Sequence, residues 1–62
     1  MKVRKKPITV DAREVTAESE IVETRNGTTM AQKGDYVLTD PETGDTWPVE
    51  RSFFEKYYVV VG

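Results

Sequence analysis

The chain has 62 residues and a mass of 7.1 kDa, and its nine Lys and Arg against eleven Asp and Glu leave a net charge of −2. It has no Cys and no His, which removes disulfides, thiolate nucleophiles, Cys-based zinc sites, the commonest general base and the commonest transition-metal ligand. The longest apolar run, Tyr57–Val61, falls far short of the roughly 18 residues of a membrane-crossing helix.

This length predicts one domain over residues 1–62. A folded chain of this mass exposes about 4,000 Å² and hides roughly 60% of its unfolded surface. Such a domain is marginal and is expected to bury every large apolar side chain it owns. The charge is unevenly placed. Lys2, Arg4, Lys5 and Lys6 make a basic arm, while residues 11–24 and 35–50 are acidic. Thr9, Asp11 and Arg13 interrupt the segment after the arm, so it does not read as a signal peptide, and the expected location is cytoplasmic.

Ile8, Val10 and Ala12 alternate with Thr9, Asp11 and Arg13. Period 2 predicts a half-buried strand over about 7–13, with Pro7 at its start or on an edge. Val15 has the other parity and marks a bulge or the strand's end. Next, Ile21–Arg25 and Thr28–Ala31 flank Asn26-Gly27. Asn-Gly predicts a type I′ hairpin, which needs positive φ at both central residues. That loop sets Arg25 opposite Thr28, Thr24 opposite Thr29 and Val22 opposite Ala31.

Gln32–Asp35 reads as a second turn around Gly34. Tyr36–Thr39 and Thr46–Val49 then form a second hairpin around Asp40–Asp45, with Gly44 left-handed. A loop over Pro41–Gly44 sets Leu38 opposite Trp47 and Tyr36 opposite Val49. All four then share one face, and Pro48 falls on an edge or at the last pairing position. Ser52-Phe53-Phe54-Glu55 matches a capping box and predicts one helical turn near 52–56. Tyr57–Val61 is strand-forming and apolar on both faces, which predicts an interior strand. The sum is a mainly β fold bordering on α+β. It is a small, strongly bent antiparallel sheet or open barrel of about five or six short strands. Tyr36, Leu38, Trp47, Val49, Phe54, Tyr57 and Val59 are expected to fill its core.

Three clusters invite a functional reading. The basic arm of Lys2, Arg4, Lys5 and Lys6 could contact phosphates, or could blunt a solvated edge strand. The acidic pI of about 5.0 favours the second reading. The six aromatics could stack bases, but so small a domain needs them in its core. Tyr57 and Tyr58 have opposite parity, so one of them could be a surface contact; the pattern leaves open which is exposed, and Tyr58 joins the basic arm as a possible partner-binding residue. Asp35, Asp40, Glu42 and Asp45 read as turn chemistry, since Asp side chains accept turn amides. No metal or cofactor is expected.

Four segments carry a resemblance: Arg4-Lys5-Lys6-Pro7-Ile8-Thr9-Val10, Gly34-Asp35-Tyr36-Val37-Leu38, Thr43-Gly44-Asp45-Thr46-Trp47-Pro48-Val49 and Phe54-Glu55-Lys56-Tyr57-Tyr58. In this order, across nearly the whole chain, they resemble a family of small phage and prophage-encoded proteins. Lys33 stands where a Pro often precedes the Gly-Asp, and the long insertion after the first strand is missing. The resemblance implies a mobile-element origin and a compact β-rich fold, and it carries over no catalytic residue and no ligand. The resulting expectation is a non-enzymatic interaction module with a protein partner. The alternative is a small-barrel nucleic-acid-binding protein that uses the basic arm. Self-association would suit a marginal domain with an open edge strand.

Overall fold

Five strands and one helix follow one another along the chain: β1 (Asp11–Glu14), β2 (Ser19–Thr24), β3 (Gly27–Gln32), β4 (Tyr36–Thr39), β5 (Thr46–Val49) and α1 (Arg51–Tyr57). The computed structural model describes residues 1–4 and 7–61. The expected mainly β fold is observed, with two antiparallel sheets and no closed barrel. One sheet has the order β1-β4-β5, and the other is the hairpin β2-β3.

β1 is shorter than the period-2 pattern predicts. Its partner β4 has only four residues before the Asp40–Pro41 turn, so the ladder ends at Asp11 opposite Thr39. Among the described residues, Pro7–Val10 have no strand partner. Ile8 is consequently exposed and Val10 only half-buried. Val15 does end the strand, and it turns fully into the core. Its amide donates to the Asp35 carbonyl at 2.8 Å, and its carbonyl accepts from Gly34 at 3.0 Å. Gly34 has φ +94°, the left-handed region that favours glycine.

The first hairpin pairs two residues out of the expected register. Val22 faces Thr29, Glu23 faces Thr28 and Thr24 faces Gly27. The loop is Arg25-Asn26, and only Gly27 has positive φ, at +124°. A type I′ turn is therefore absent. The cause is local: Thr24 Oγ1 accepts the Asn26 amide at 3.2 Å and donates to the Gly27 carbonyl at 2.7 Å, closing the loop one residue early. A two-residue slip preserves the faces, so Val22 and Ala31 remain together and both are buried.

The second hairpin has the expected register, with Leu38 opposite Trp47 and Tyr36 opposite Val49. Gly44 has φ +79° and donates its amide to the Asp40 carbonyl at 2.7 Å. Asp40 Oδ1 accepts the Glu42 amide at 2.9 Å, and Asp35 Oδ2 accepts the Gln32 amide at 2.8 Å. These carboxylates make the turns.

Val37 packs with Val15, Val22 and Ala31 between the sheets. Leu38, its neighbour of opposite parity, is fully buried on the other face. β4 is therefore covered on both sides, by the hairpin below and by the helix side above. The core differs from the expected one: of the seven residues assigned to it, only Leu38 is fully buried, and no aromatic is. The four-residue strands of the larger sheet are too short to enclose six rings.

Two further corrections concern the C-terminal part. The helix starts at Arg51, so Ser52 lies inside it and the capping box does not form. Glu50 is the N-cap and makes no side-chain bond there. The expected strand over Tyr57–Val61 is also absent. Tyr57 ends the helix, the Tyr58 amide donates to the Phe54 carbonyl at 3.0 Å, and Val59, Val60 and Val61 are exposed. Strand propensity acts through packing against neighbours, and this segment has no partner strand.

Candidate interaction surface

The helix is held to the sheet by rings. Tyr36 of β4 and Phe54 stack with centroids 4.0 Å apart, and Phe54 stacks on Tyr58 at 5.5 Å. Phe53 lies against Tyr57 at 4.6 Å on a neighbouring face of the helix. Both pairs have i,i+4 spacing, which brings side chains together along a helix, and Tyr58 is the residue that caps its end. Arg51 adds a cation over the Tyr36 ring at 5.6 Å, and its Nη2 donates to Glu14 Oε2 at 3.0 Å. Glu14 thereby ties β1 to the helix.

Between these rings, the residues leading into β1 and the segment after the helix runs an open trough of about 860 Å³. Tyr36, Trp47, Val10, Ala12, Tyr58 and Val60 are among the residues that line it. The expectation that packing would leave little apolar surface is therefore overturned. Phe53 is 47% exposed, Tyr57 is 61% exposed and Val60 is 84% exposed. The accessible surface is 5443 Å², against about 4,100 Å² for a compact chain of this mass. The radius of gyration, 12.7 Å, likewise exceeds the roughly 11 Å of a compact 62-residue domain.

The trough adjoins an open sheet edge. Among the described residues, β1 has β4 on one side and no strand on the other, and all four of its residues are exposed. The Val15–Asp35 bond continues the β1–β4 register, and bonded pairs alternate along an antiparallel ladder. Asp11 and Arg13 therefore bond to β4, while Ala12 and Glu14 direct their N–H and C=O outward. The opposite edge is different. Val37 faces Pro48 in β5, which falls in the non-bonded phase, so the N–H that Pro48 lacks would point away from the sheet.

Of the sequence candidates, Tyr58 lines the trough and is half-buried, and Tyr57 is the more exposed of the two tyrosines. Lys2 and Arg4 are exposed, lie outside the trough lining, and make no ion pair among the described residues. Lys5 and Lys6 lie outside the described residues. The structure thus brings Tyr58 to the segment that follows the arm. Sequence reasoning missed Phe53 and Tyr57 as a surface pair, although the i,i+4 spacing of 53/57 and 54/58 was the available signal.

The strongest electrostatic pair lies on the other face of the sheet. Arg13 Nη1 donates to Glu20 Oε1 at 2.8 Å, and a second bond joins Nη2 to Oε2. This fork holds the Glu20 carboxyl below the ordinary range and raises the Arg13 guanidinium. Among the described residues there is no cluster of carboxylates able to hold a metal, and no helix long and apolar enough to cross a membrane. No protein-family profile, no curated protein and no solved structure matches the chain.

Proposed function

We propose that the chain is a non-enzymatic interaction module of the phage or prophage type, which binds a protein partner in the cytoplasm of the host cell. The observation that carries this reading is the apolar trough beside the open edge of β1. Exposed aromatics beside unpaired strand amides suit an extended protein segment, which gains backbone bonds from the edge and side-chain burial from the trough. Pull-down from host lysate tests the reading. Reproducible enrichment of a protein by the parent chain, lost on Phe53→Ala plus Tyr57→Ala with the circular dichroism spectrum unchanged, supports it. Failure of the folded parent to enrich any protein removes it.

A second reading has one observation behind it. Lys56 places its ammonium 5.4 Å from the exposed Tyr57 ring, so a cation and a stacking surface share one helix face, as single-stranded nucleic-acid binding requires. The basic arm of Lys2, Arg4, Lys5 and Lys6 would then follow the phosphates. Fluorescence anisotropy with oligonucleotides at low salt separates the two. Binding that weakens on Lys5→Glu plus Lys6→Glu supports this second reading, and absence of binding removes it.

A further inference from the structure

We propose that the open edge of β1 pairs antiparallel with the same edge of a second copy of this chain, across a two-fold axis at Ala12. This rests on the reading of the β1 side as an interaction surface, and it names the occupant.

Surface area is the first argument. The chain exposes 5443 Å², about 1,300 Å² more than a compact monomer of this mass. A standard interface hides about 800 Å² per partner. That surplus is shared by the whole chain, including Met1, Val3 and Val59–Val61, and the exposed β1 strand is the part of it that a second copy's strand can cover by backbone pairing.

The ladder phase is the second argument. Ala12 and Glu14 direct their backbone groups outward, so only registers that bond even-numbered residues to even-numbered residues are open. With Glu14 opposite Glu14 of the second copy, acids meet. With Arg13 opposite its own copy, guanidinium meets guanidinium. With Asp11 opposite its own copy, carboxylate meets carboxylate. Centring on Ala12 is the register that places opposite charges together. Ala12 then bonds to Ala12, and Asp11 faces Arg13 twice. Opposed unlike charges stabilise cross-strand pairs, and like charges destabilise them.

The third argument is the face. Ala12 lines the trough. A two-fold axis at Ala12 brings both troughs to the same face of one six-stranded sheet, as a continuous apolar channel. Strand alternation directs the Asp11 and Arg13 side chains away from Ala12's face, although Asp11 also borders the trough, and Arg13 already holds Glu20. In this register the second copy's Asp11 comes opposite Arg13 on the face away from Ala12.

Sedimentation equilibrium of the untagged chain between about 10 μM and 1 mM reads the mass. The expected result is twice 7.1 kDa, and a monomer throughout overturns the proposal. Asp11→Arg should raise the dissociation constant roughly thirtyfold, since two attractive pairs become repulsive. Adding Arg13→Asp should restore dimerisation. A dimer indifferent to Asp11→Arg overturns the proposed edge.

Ala12→Cys supplies a second readout that does not depend on charge. The chain has no cysteine, and bonded antiparallel partners lie about 5.5 Å apart at Cα, within disulfide reach. Oxidation should give a covalent dimer, whereas Thr43→Cys in the distant turn should not. Equal cross-linking at both positions overturns the placement. A monomer that still captures a host protein through Phe53 and Tyr57 overturns self-pairing and leaves the interaction module standing. A dimer that captures nothing supports self-pairing and removes the module.

Discussion

Tyr36 and Phe54 lie ring on ring, with centroids 4.0 Å apart and planes 11° from parallel. This contact fastens a seven-residue helix that buries none of its residues fully. An isolated helix of this length does not persist in water, so its order derives from the sheet. Phe54→Ala should cost about 2 kcal/mol, from lost half-burial plus the stacking term. In a domain of this size that lowers Tm by roughly 10 °C. Phe54→Leu should recover much of the loss, because it keeps apolar area without the stack. Thermal melts followed by near-ultraviolet circular dichroism check both.

Leu38 is fully enclosed, and Tyr57 is not. Leu38→Ala leaves a cavity and should cost about 3 kcal/mol. That is a large share of the roughly 3–9 kcal/mol available to 62 residues. Tyr57→Ala should change stability by less than about 1 kcal/mol, although it removes more atoms. Urea titrations of the two variants should separate by at least 1 M in midpoint, and equal midpoints would contradict the placement of the core.

The first hairpin turns on one residue. Gly27 has φ +124° and open space around its Cα, so a side chain there is strained by the backbone and not by a clash. Gly27→Ala should cost about 1–2 kcal/mol. Asn26 has no positive φ, so Asn26→Ala should cost less than about 0.5 kcal/mol. A type I′ turn would make both substitutions costly. Comparing the two denaturation midpoints tests the observed turn.

The Arg13–Glu20 pair predicts a pH signature. The folded-state carboxyl of Glu20 titrates below its ordinary range because Arg13 donates to it. Its stabilisation is complete above the unfolded pKa and is lost as pH falls through the folded value. Arg13 stays cationic throughout and adds no acid transition. Glu20→Gln should be less stable than the parent at neutral pH and should converge with it in acid. Added salt should narrow the neutral-pH difference, since both groups face solvent. A pH-independent difference would contradict the ion pair.

Legibility in the sequence followed the range of the interactions involved. The second hairpin was readable to the residue, because Asp40, Pro41 and Gly44 fix its loop and one register alone joins Leu38 to Trp47. The first hairpin was readable only to its faces. Its register depended on the Thr24 hydroxyl, a contact that Asn-Gly chemistry does not announce. The last segment was misread because Tyr57–Val61 has strand composition, while the aromatic pairs 53/57 and 54/58 have helical spacing. Packing on Tyr36 decided between them. The candidate surface was hidden for a related reason. Assigning every ring to the core assumed a sheet wide enough to cover them, and β4 and β5 have four residues each.

Pro48 has a bearing on assembly. A sheet with two adhesive margins can add copies without end and grow into a fibre, whereas one with a single adhesive margin stops at two. β5 cannot offer a hydrogen at Pro48, and its Thr46 hydroxyl and the neighbouring Asp45 are engaged by Glu23 and Arg25 of the hairpin. Within the three-stranded sheet, growth by edge pairing is therefore left to the β1 margin. If β1 pairs as proposed, the three-stranded sheet closes as a pair of copies and does not extend into a filament.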